Sequence, residues 1–294
     1  MQDKTVAMIG LDTSHTVEFA KLMQDPEHRI VEGMRVVKAL RFPSAFQSED
    51  GQDKRQADLE ALGVALVPTL EEAVSGVDAV FLEINDPALH VPYFEQVAGL
   101  GLPVFIDKPL CATTAEARTI RDLAGQHGTP VWSASSLRFI PALTAARAAV
   151  PKPVLAHTFG ALGKAAAGSD LVWYGVHAVE MLVTALGIGA RRVQAIDGAR
   201  GITLLVDYAD GRHGLVECLR GLHRYGGRLQ SEDALAFFDS GNGSPYMALM
   251  SALREFVVAG AIPVPLAEAI EAMAILEAGE QSLASGTAVD VLEH

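Results

Sequence analysis

Asp107-Lys108-Pro109 closes the apolar run Leu102-Pro103-Val104-Phe105-Ile106. The run reads as a short buried strand bounded by Gly101 and Pro109. In an open parallel sheet, ligands bind in the crevice outside the carboxyl ends of the strands. Lys108 is therefore either a surface lysine after a strand or a proton carrier presented at that crevice, with Pro109 stiffening the turn. A second polar turn, Asn85-Asp86-Pro87-Ala88-Leu89-His90, follows the apolar stretch Ala79–Ile84 and falls on the same rim. Asp86 within it also suits a helix cap.

The segment Gly10-Leu11-Asp12-Thr13-Ser14-His15 follows the first apolar run. A dinucleotide fingerprint would place glycines at its first, third and sixth positions, and only Gly10 is kept. Asp12 stands where backbone normally approaches a pyrophosphate, and its carboxylate repels phosphate unless it points away. His15 replaces the glycine that sets the distance between helix and strand. Two readings stay open. Asp12 or Thr13 is a plain N-cap, or the helix N–H groups and the Thr13 and Ser14 hydroxyls hold an anion. Arg41, after the second strand, is either a solvated surface residue or the partner of a 2′-phosphate, and tilts the cofactor expectation slightly towards NADP. In the second half, Trp173-Tyr174-Gly175-Val176-His177-Ala178-Val179-Glu180 opens an amphipathic helix on which His177 and Glu180 share a face. A histidine there also reads as a satisfied core residue. No further ligand cluster is spaced to make this pair a metal site, so no metal is expected.

These residues need a scaffold, and the periodicity supplies one. Strand-like runs at Thr5–Ile9, Arg35–Leu40, Val64–Val67, Ala79–Ile84, Leu102–Ile106 and Val131–Ser135 alternate with helical patterns. Six strands with helical crossovers predict a Rossmann-type parallel sheet over 1–136. After that the pattern changes. Leu137–Val150 reads as a helix, Val154–Leu162 as a strand, and Leu171–Leu186 as a helix. Arg192–Ile196, Ile202–Tyr208 and Gly214–Leu219 read as strands joined by short turns, which predicts an antiparallel sheet. Two late helices, Tyr246–Ala259 and Leu266–Ser282, complete a second, α+β domain over 137–291 and are candidates to pack back on the first. Leu292-Glu293-His294 reads as the start of a purification tag.

Composition excludes several functions. The 294 residues are 50% hydrophobic, enough for a sizeable core. No apolar run reaches the ~18 residues of a membrane span. A net charge of −13 argues against nucleic acid. Two cysteines, Cys111 and Cys218, build neither a disulfide framework nor a structural zinc site. A cytoplasmic setting with no membrane partner is expected.

Four motifs in this order resemble the Gfo/Idh/MocA family of NAD(P)-dependent oxidoreductases over nearly the whole chain. Asp107-Lys108-Pro109-Leu110 resembles its Glu-Lys-Pro signature, with Asp for Glu. Asn85 through His90 resembles its Pro-Asn-x-x-His segment. Leu137-Arg138-Phe139-x-Pro141 resembles its Arg-Phe-x-Pro stretch, and Gly175-x-His177-x-x-Glu180 its Gly-x-His-x-x-Asp helix. The resemblance implies a Rossmann domain followed by a large open, mostly antiparallel sheet that often forms a homodimer or homotetramer face. It implies NAD or NADP as cofactor and hydride transfer at a hydroxyl carbon of a sugar, inositol or similar small polyol. Lys108 and His177 match the catalytic pair. Asn85, His90 and Asp107 join Gly10–His15 and Arg41 as cofactor-side residues, while Arg138, Trp173, Tyr174, His177 and Glu180 fall on the substrate side. Two departures stand out: the reduced glycine loop, and Trp173 where the family usually has an aspartate that polarises the histidine. Asp170 lies seven residues before His177, ~10 Å along a helix, too far to replace it. A non-catalytic binding protein of the same fold, and an enzyme that uses bound NAD transiently for elimination, are the alternatives.

Overall fold

A computed structural model of the chain describes residues 3–241 and 244–291; the tag-like Leu292–His294 lies outside the described residues. The chain divides into two compact units, one of residues 3–111, 119–133 and 249–265, the other of residues 112–118, 134–248 and 266–291.

In the first unit the elements run β1 (Lys4–Ile9), α1 (His15–Gln24), β2 (Met34–Leu40), α2 (Glu49–Ala61), β3 (Ala65–Val67), α3 (Leu70–Val74), β4 (Ala79–Leu82), α4 (His90–Val97), β5 (Val104–Ile106), α5 (Thr114–His127) and β6 (Val131–Ser133). The six strands form one parallel sheet in the order β3-β2-β1-β4-β5-β6. Strand order reverses at β1, so the crevice beyond the ends of β1 and β4 is the switch point at which such sheets bind ligands. The centre of the sheet explains the sequence pattern. Val6–Ile9, Ala79–Leu82 and Val104–Ile106 are all fully buried, as a parallel sheet covered on both faces requires. Phe81, Phe105 and Trp132 stack across β4, β5 and β6 with ring centroids 5.5 and 5.0 Å apart.

The second unit continues with α6 (Pro141–Ala149), β7 (Leu155–Leu162), α7 (Val176–Leu186), β8 (Ala190–Gly198), β9 (Gly201–Tyr208), β10 (His213–Arg220), β11 (Gly226–Gln230), β12 (Leu235–Asp239), α8 (Tyr246–Ala259), α9 (Leu266–Ser285) and β13 (Val289–Asp290). Most of α8 counts with the first unit, where Phe256 meets Trp132 edge-on at 5.9 Å. The second sheet has seven strands in the order β12-β11-β7-β10-β9-β8-β13, antiparallel except for the parallel pair β7–β10. Helix α9 packs on β8, and α7 on β7 and β10.

Three strands of this sheet escape the sequence reading. Gly226 and Gly227 in β11 look like strand breakers, yet a Cβ there would stand 2.5 Å from the Phe238 carbonyl oxygen and 2.0 Å from that of His157. Close backbone approach between paired strands demands glycine at both positions. The expected helix from Leu137 begins only at Pro141, after a 3₁₀ turn over Ser136–Phe139. Likewise the expected helix from Leu171 opens as a π-helical turn, Leu171–Gly175, before α7.

Candidate active site

Each site residue of the first unit stands at the carboxyl end of a strand or at the start of the helix that follows. Gly10 has φ +112°, and a Cβ there would lie 2.2 Å from the Glu83 carbonyl oxygen. The one glycine kept from the fingerprint is therefore the one the loop cannot replace. Asp12 is not the helix cap. Its carboxylate accepts hydrogen bonds from Ser44 Oγ at 2.7 Å and from the Asn85 backbone N–H at 3.0 Å, and Asn85 Nδ2 donates to the Asp12 carbonyl at 3.1 Å. Burial raises the Asp12 carboxyl above its ordinary value, with these bonds working against the rise. Ser14 takes the N-cap position of α1 with no side-chain cap bond, and Thr13 Oγ1 accepts from the His15 N–H at 3.2 Å. The first turn of α1 thus keeps N–H groups for an anion.

His15, at the third glycine position, reaches back to β5. Its Nδ1 lies 2.7 Å from Asp107 Oδ2, and its ring stacks on Phe19. Asp107 and Lys108 are buried, with Lys108 only 5% exposed; the surface-lysine reading fails. Burial would raise the Asp107 carboxyl, but the charges of His15 and Lys108, together with its hydrogen bonds, outweigh it and hold the group at about 2. Glu83, directly after β4, completes the group. It is fully buried, and burial followed by repulsion from Asp107 lifts its carboxyl well above the ordinary range. Sequence reading placed Glu83 inside the strand and passed over it. The available signal was a carboxylate directly after a run as apolar as Ala79–Leu82.

His90 is a brace rather than a cofactor ligand. It is fully buried, with Nδ1 3.1 Å from the Leu110 carbonyl and Nε2 3.0 Å from that of Ile84. Burial lowers its pKa against the pull of these two bonds. The ring therefore sits between the turn after β4 and the loop that carries Lys108, its one neutral N–H donating to one of the two carbonyls. Asp86 caps the turn, accepting from the Ala88 N–H at 3.1 Å.

Beyond β2 and β3, a cleft of about 480 Å³ is lined by Arg41, Phe42, Pro43, Leu66 and Pro68. Its apolar walls suit a flat ring, and with the N-terminus of α1 they fit a dinucleotide. Arg41 is already engaged there by Glu49 and Asp53.

The second unit gathers its own cluster around α7. His177 Nδ1 lies 2.7 Å from Ser135 Oγ, a residue that sequence reading did not single out. Ser135 also accepts from the Leu137 N–H at 3.2 Å and donates its own backbone N–H to Glu180 Oε2 at 2.9 Å. The expected substrate roles of Arg138 and Glu180 do not match their surroundings. Both are buried, the guanidinium lies 3.6 Å from Glu180 Oε2, and it also pairs with Glu268. Asp170 accepts from the Ala165 N–H at 2.8 Å and so is committed to that loop. Rings of Tyr174 and Tyr225 meet His177 edge-on at 5.4 and 5.6 Å, and Trp173 packs on Tyr174 at 4.8 Å. Two glycines make room for the tyrosines: a Cβ on Gly163 would stand 2.9 Å from the Tyr174 ring, and one on Gly160 2.8 Å from the Tyr225 ring. Burial and then the neighbouring Tyr174 raise the Tyr225 phenol above its ordinary pKa.

The comparisons agree with the fold. No curated protein sequence matches the chain. Among solved structures, GenD2 from gentamicin A biosynthesis, in complex with NAD, is similar at 19% identity with a TM-score of 0.81, covering 100% of this chain and 97% of that one. The scyllo-inositol dehydrogenase of Lactobacillus casei, with bound NAD(H) and scyllo-inositol, is 12% identical with a TM-score of 0.81, covering 99% of both chains. A putative myo-inositol dehydrogenase from Sinorhizobium meliloti 1021 is 16% identical with a TM-score of 0.76, covering 98% of this chain and 100% of that one. At such identities the likeness shows the fold. The model of the Gfo/Idh/MocA oxidoreductase family, NAD-binding Rossmann fold, matches residues 4–135, the stretch that holds Gly10, Glu83, Asp107 and Lys108.

Proposed function

We propose that the protein transfers a hydride between NAD and a hydroxyl carbon of a small polyol, of the sugar or inositol class. The observation that carries this reading is Lys108, buried at the carboxyl end of β5 beside the switch point of a Rossmann sheet. Nicotinamide, when bound, supplies the hydride acceptor or donor. The chain must move the accompanying proton, because a hydride leaves a carbinol carbon only as its hydroxyl proton departs. Lys108 Nζ takes that role. In the second unit, Tyr174 and Tyr225 flank His177 as aromatic neighbours of the kind that suits the face of a sugar ring.

NAD rather than NADP follows from Arg41. Its charge is balanced by Glu49 and Asp53, which leaves no uncompensated cation for a 2′-phosphate and places two carboxylates nearby to oppose one. Assembly as a homodimer or homotetramer through the second sheet is supported by outward apolar side chains on it, Phe237 and Ile196 being 73% and 52% exposed. Light scattering tests that point.

The enzyme reading is tested by titrating NADH and NADPH against intrinsic tryptophan fluorescence, followed by turnover on a polyol panel with NAD. Saturable NADH binding, with turnover that collapses in Lys108→Met while binding persists, is expected. Absence of any response to either reduced or oxidised dinucleotide overturns the reading, and undiminished turnover in Lys108→Met removes Lys108 from the chemistry.

A further inference from the structure

His15, Glu83 and Asp107 come from three separate elements: the start of α1 and the ends of β4 and β5. One ligand atom from each lies within 4.8 Å of the other two. Donors held ~2.1 Å from one ion stand up to about 4.2 Å apart, so the three need only a small closing movement to share one. Glu83 is fully buried, and neither of its carboxylate oxygens has a hydrogen-bond partner. A buried carboxyl group in that condition calls for an occupant, because an unsatisfied buried polar group is costly. Formal charge makes the same demand. The charges of His15 and Lys108 answer Asp107, whereas Glu83 has only Lys108 against the negative fields of Asp107 and Asp12. A proton on Glu83 would balance the charge but would leave its O–H without an acceptor. A cation balances the charge and satisfies the oxygens together.

We propose that His15 Nδ1 and the carboxylates of Glu83 and Asp107 bind one divalent transition-metal ion, of the Zn²⁺ or Mn²⁺ class. One imidazole with two carboxylates suits these ions better than Mg²⁺ or Ca²⁺, which favour all-oxygen surroundings. Three protein ligands leave at least one coordination position open, as in metal sites that also hold a small molecule. The His15 side chain is 14% exposed while Asp107 is 2% exposed, so the imidazole marks the side from which an ion enters. The site also accounts for the histidine where the helix start normally carries glycine, and for the unpaired glutamate after β4. This proposal does not depend on the polyol reading.

The test uses binding alone. Protein stripped with a chelator is titrated with Mn²⁺, followed by the electron paramagnetic resonance of free ion, and with Zn²⁺ by calorimetry. Wild type, His15→Gln and Glu83→Gln are compared, with circular dichroism as the check on folding and Asp78→Asn as a distant control. One ion per chain, bound at least tenfold more weakly in each folded site variant and unchanged in the control, is expected. Partly exposed His15 carries the test by itself if Glu83→Gln does not fold. No stoichiometric binding of either ion, or less than a tenfold loss in a folded variant, overturns the site and leaves Glu83 as a buried proton carrier.

Discussion

Ser135 Oγ lies 2.7 Å from His177 Nδ1. The serine comes from the turn after β6 rather than from the helix that carries the histidine, so no reading of α7 alone reveals it. When Ser135 donates, His177 carries its proton on Nε2. A hydroxyl fixes the tautomer but lacks the charge with which a carboxylate stabilises an imidazolium. Ser135→Ala is therefore expected to lower kcat about tenfold with little change in KM, less than the ~10²–10⁴-fold effect of a full acid–base group. Ser135→Asp should restore or exceed wild-type kcat and displace its pH profile towards higher pH. Steady-state kinetics across pH checks both, and an unaltered kcat in Ser135→Ala would remove the serine from catalysis.

Gly10→Ala should be severe. It forces a side chain onto a backbone at φ +112° and against the Glu83 carbonyl oxygen at 2.2 Å. The left-handed conformation costs ~1–2 kcal/mol and overpacking ~1–3 kcal/mol. A loss of about 3 kcal/mol is expected in urea unfolding. The displaced loop also carries the N-terminus of α1, so weaker NADH binding should accompany the loss. Gly63→Ala, also at positive φ but with open space around it, should show only the smaller conformational cost.

What the sequence made legible follows the range of the interactions. The Rossmann strands were readable because burial on both faces writes continuous apolar runs such as Ala79–Leu82. Lys108 was readable because it ends one of those runs. The partners of these residues were not. His15 meets Asp107 across 92 positions of chain, and Ser135 meets His177 across 42; neither pairing leaves a local period. Arg138 was misread for the same reason. A conspicuous cation after a strand suggests an anchor, and only the fold shows Glu180 and Glu268 beside it. In β11 the two glycines that permit close strand pairing are the residues that conceal it.

Arg138→Met should expose the cost of that buried pairing. Arg138 and Glu180 are 4% and 2% exposed at the side chain, 3.6 Å apart. Removing one member of such a pair leaves the other charge uncompensated, at ~3–5 kcal/mol. The loss should fall towards that range in urea unfolding. The double variant Arg138→Met/Glu180→Gln should lose much less than the two single losses added together, because the stranded charge is gone. Strict additivity would instead return Arg138 to a role outside the pair.

His90 gives the chain a pH dependence whose sign is fixed by burial. Its folded pKa is lowered, chiefly by desolvation, while an unfolded histidine titrates near ~6.5. Between those two values the unfolded chain binds the extra proton, so stability rises with pH in that window. The stabilising contribution is complete above about pH 6.5, and it is lost as pH falls through that value towards the lower folded pKa. Wild-type urea midpoints should fall between pH 7.5 and pH 5.5. His90→Gln keeps an amide donor for one of the two carbonyls and cannot titrate. It should be less stable at pH 7.5, where the fully buried ring loses its packing, yet should lose less stability on acidification. An equal fall in both proteins would mean that other groups set the acid slope.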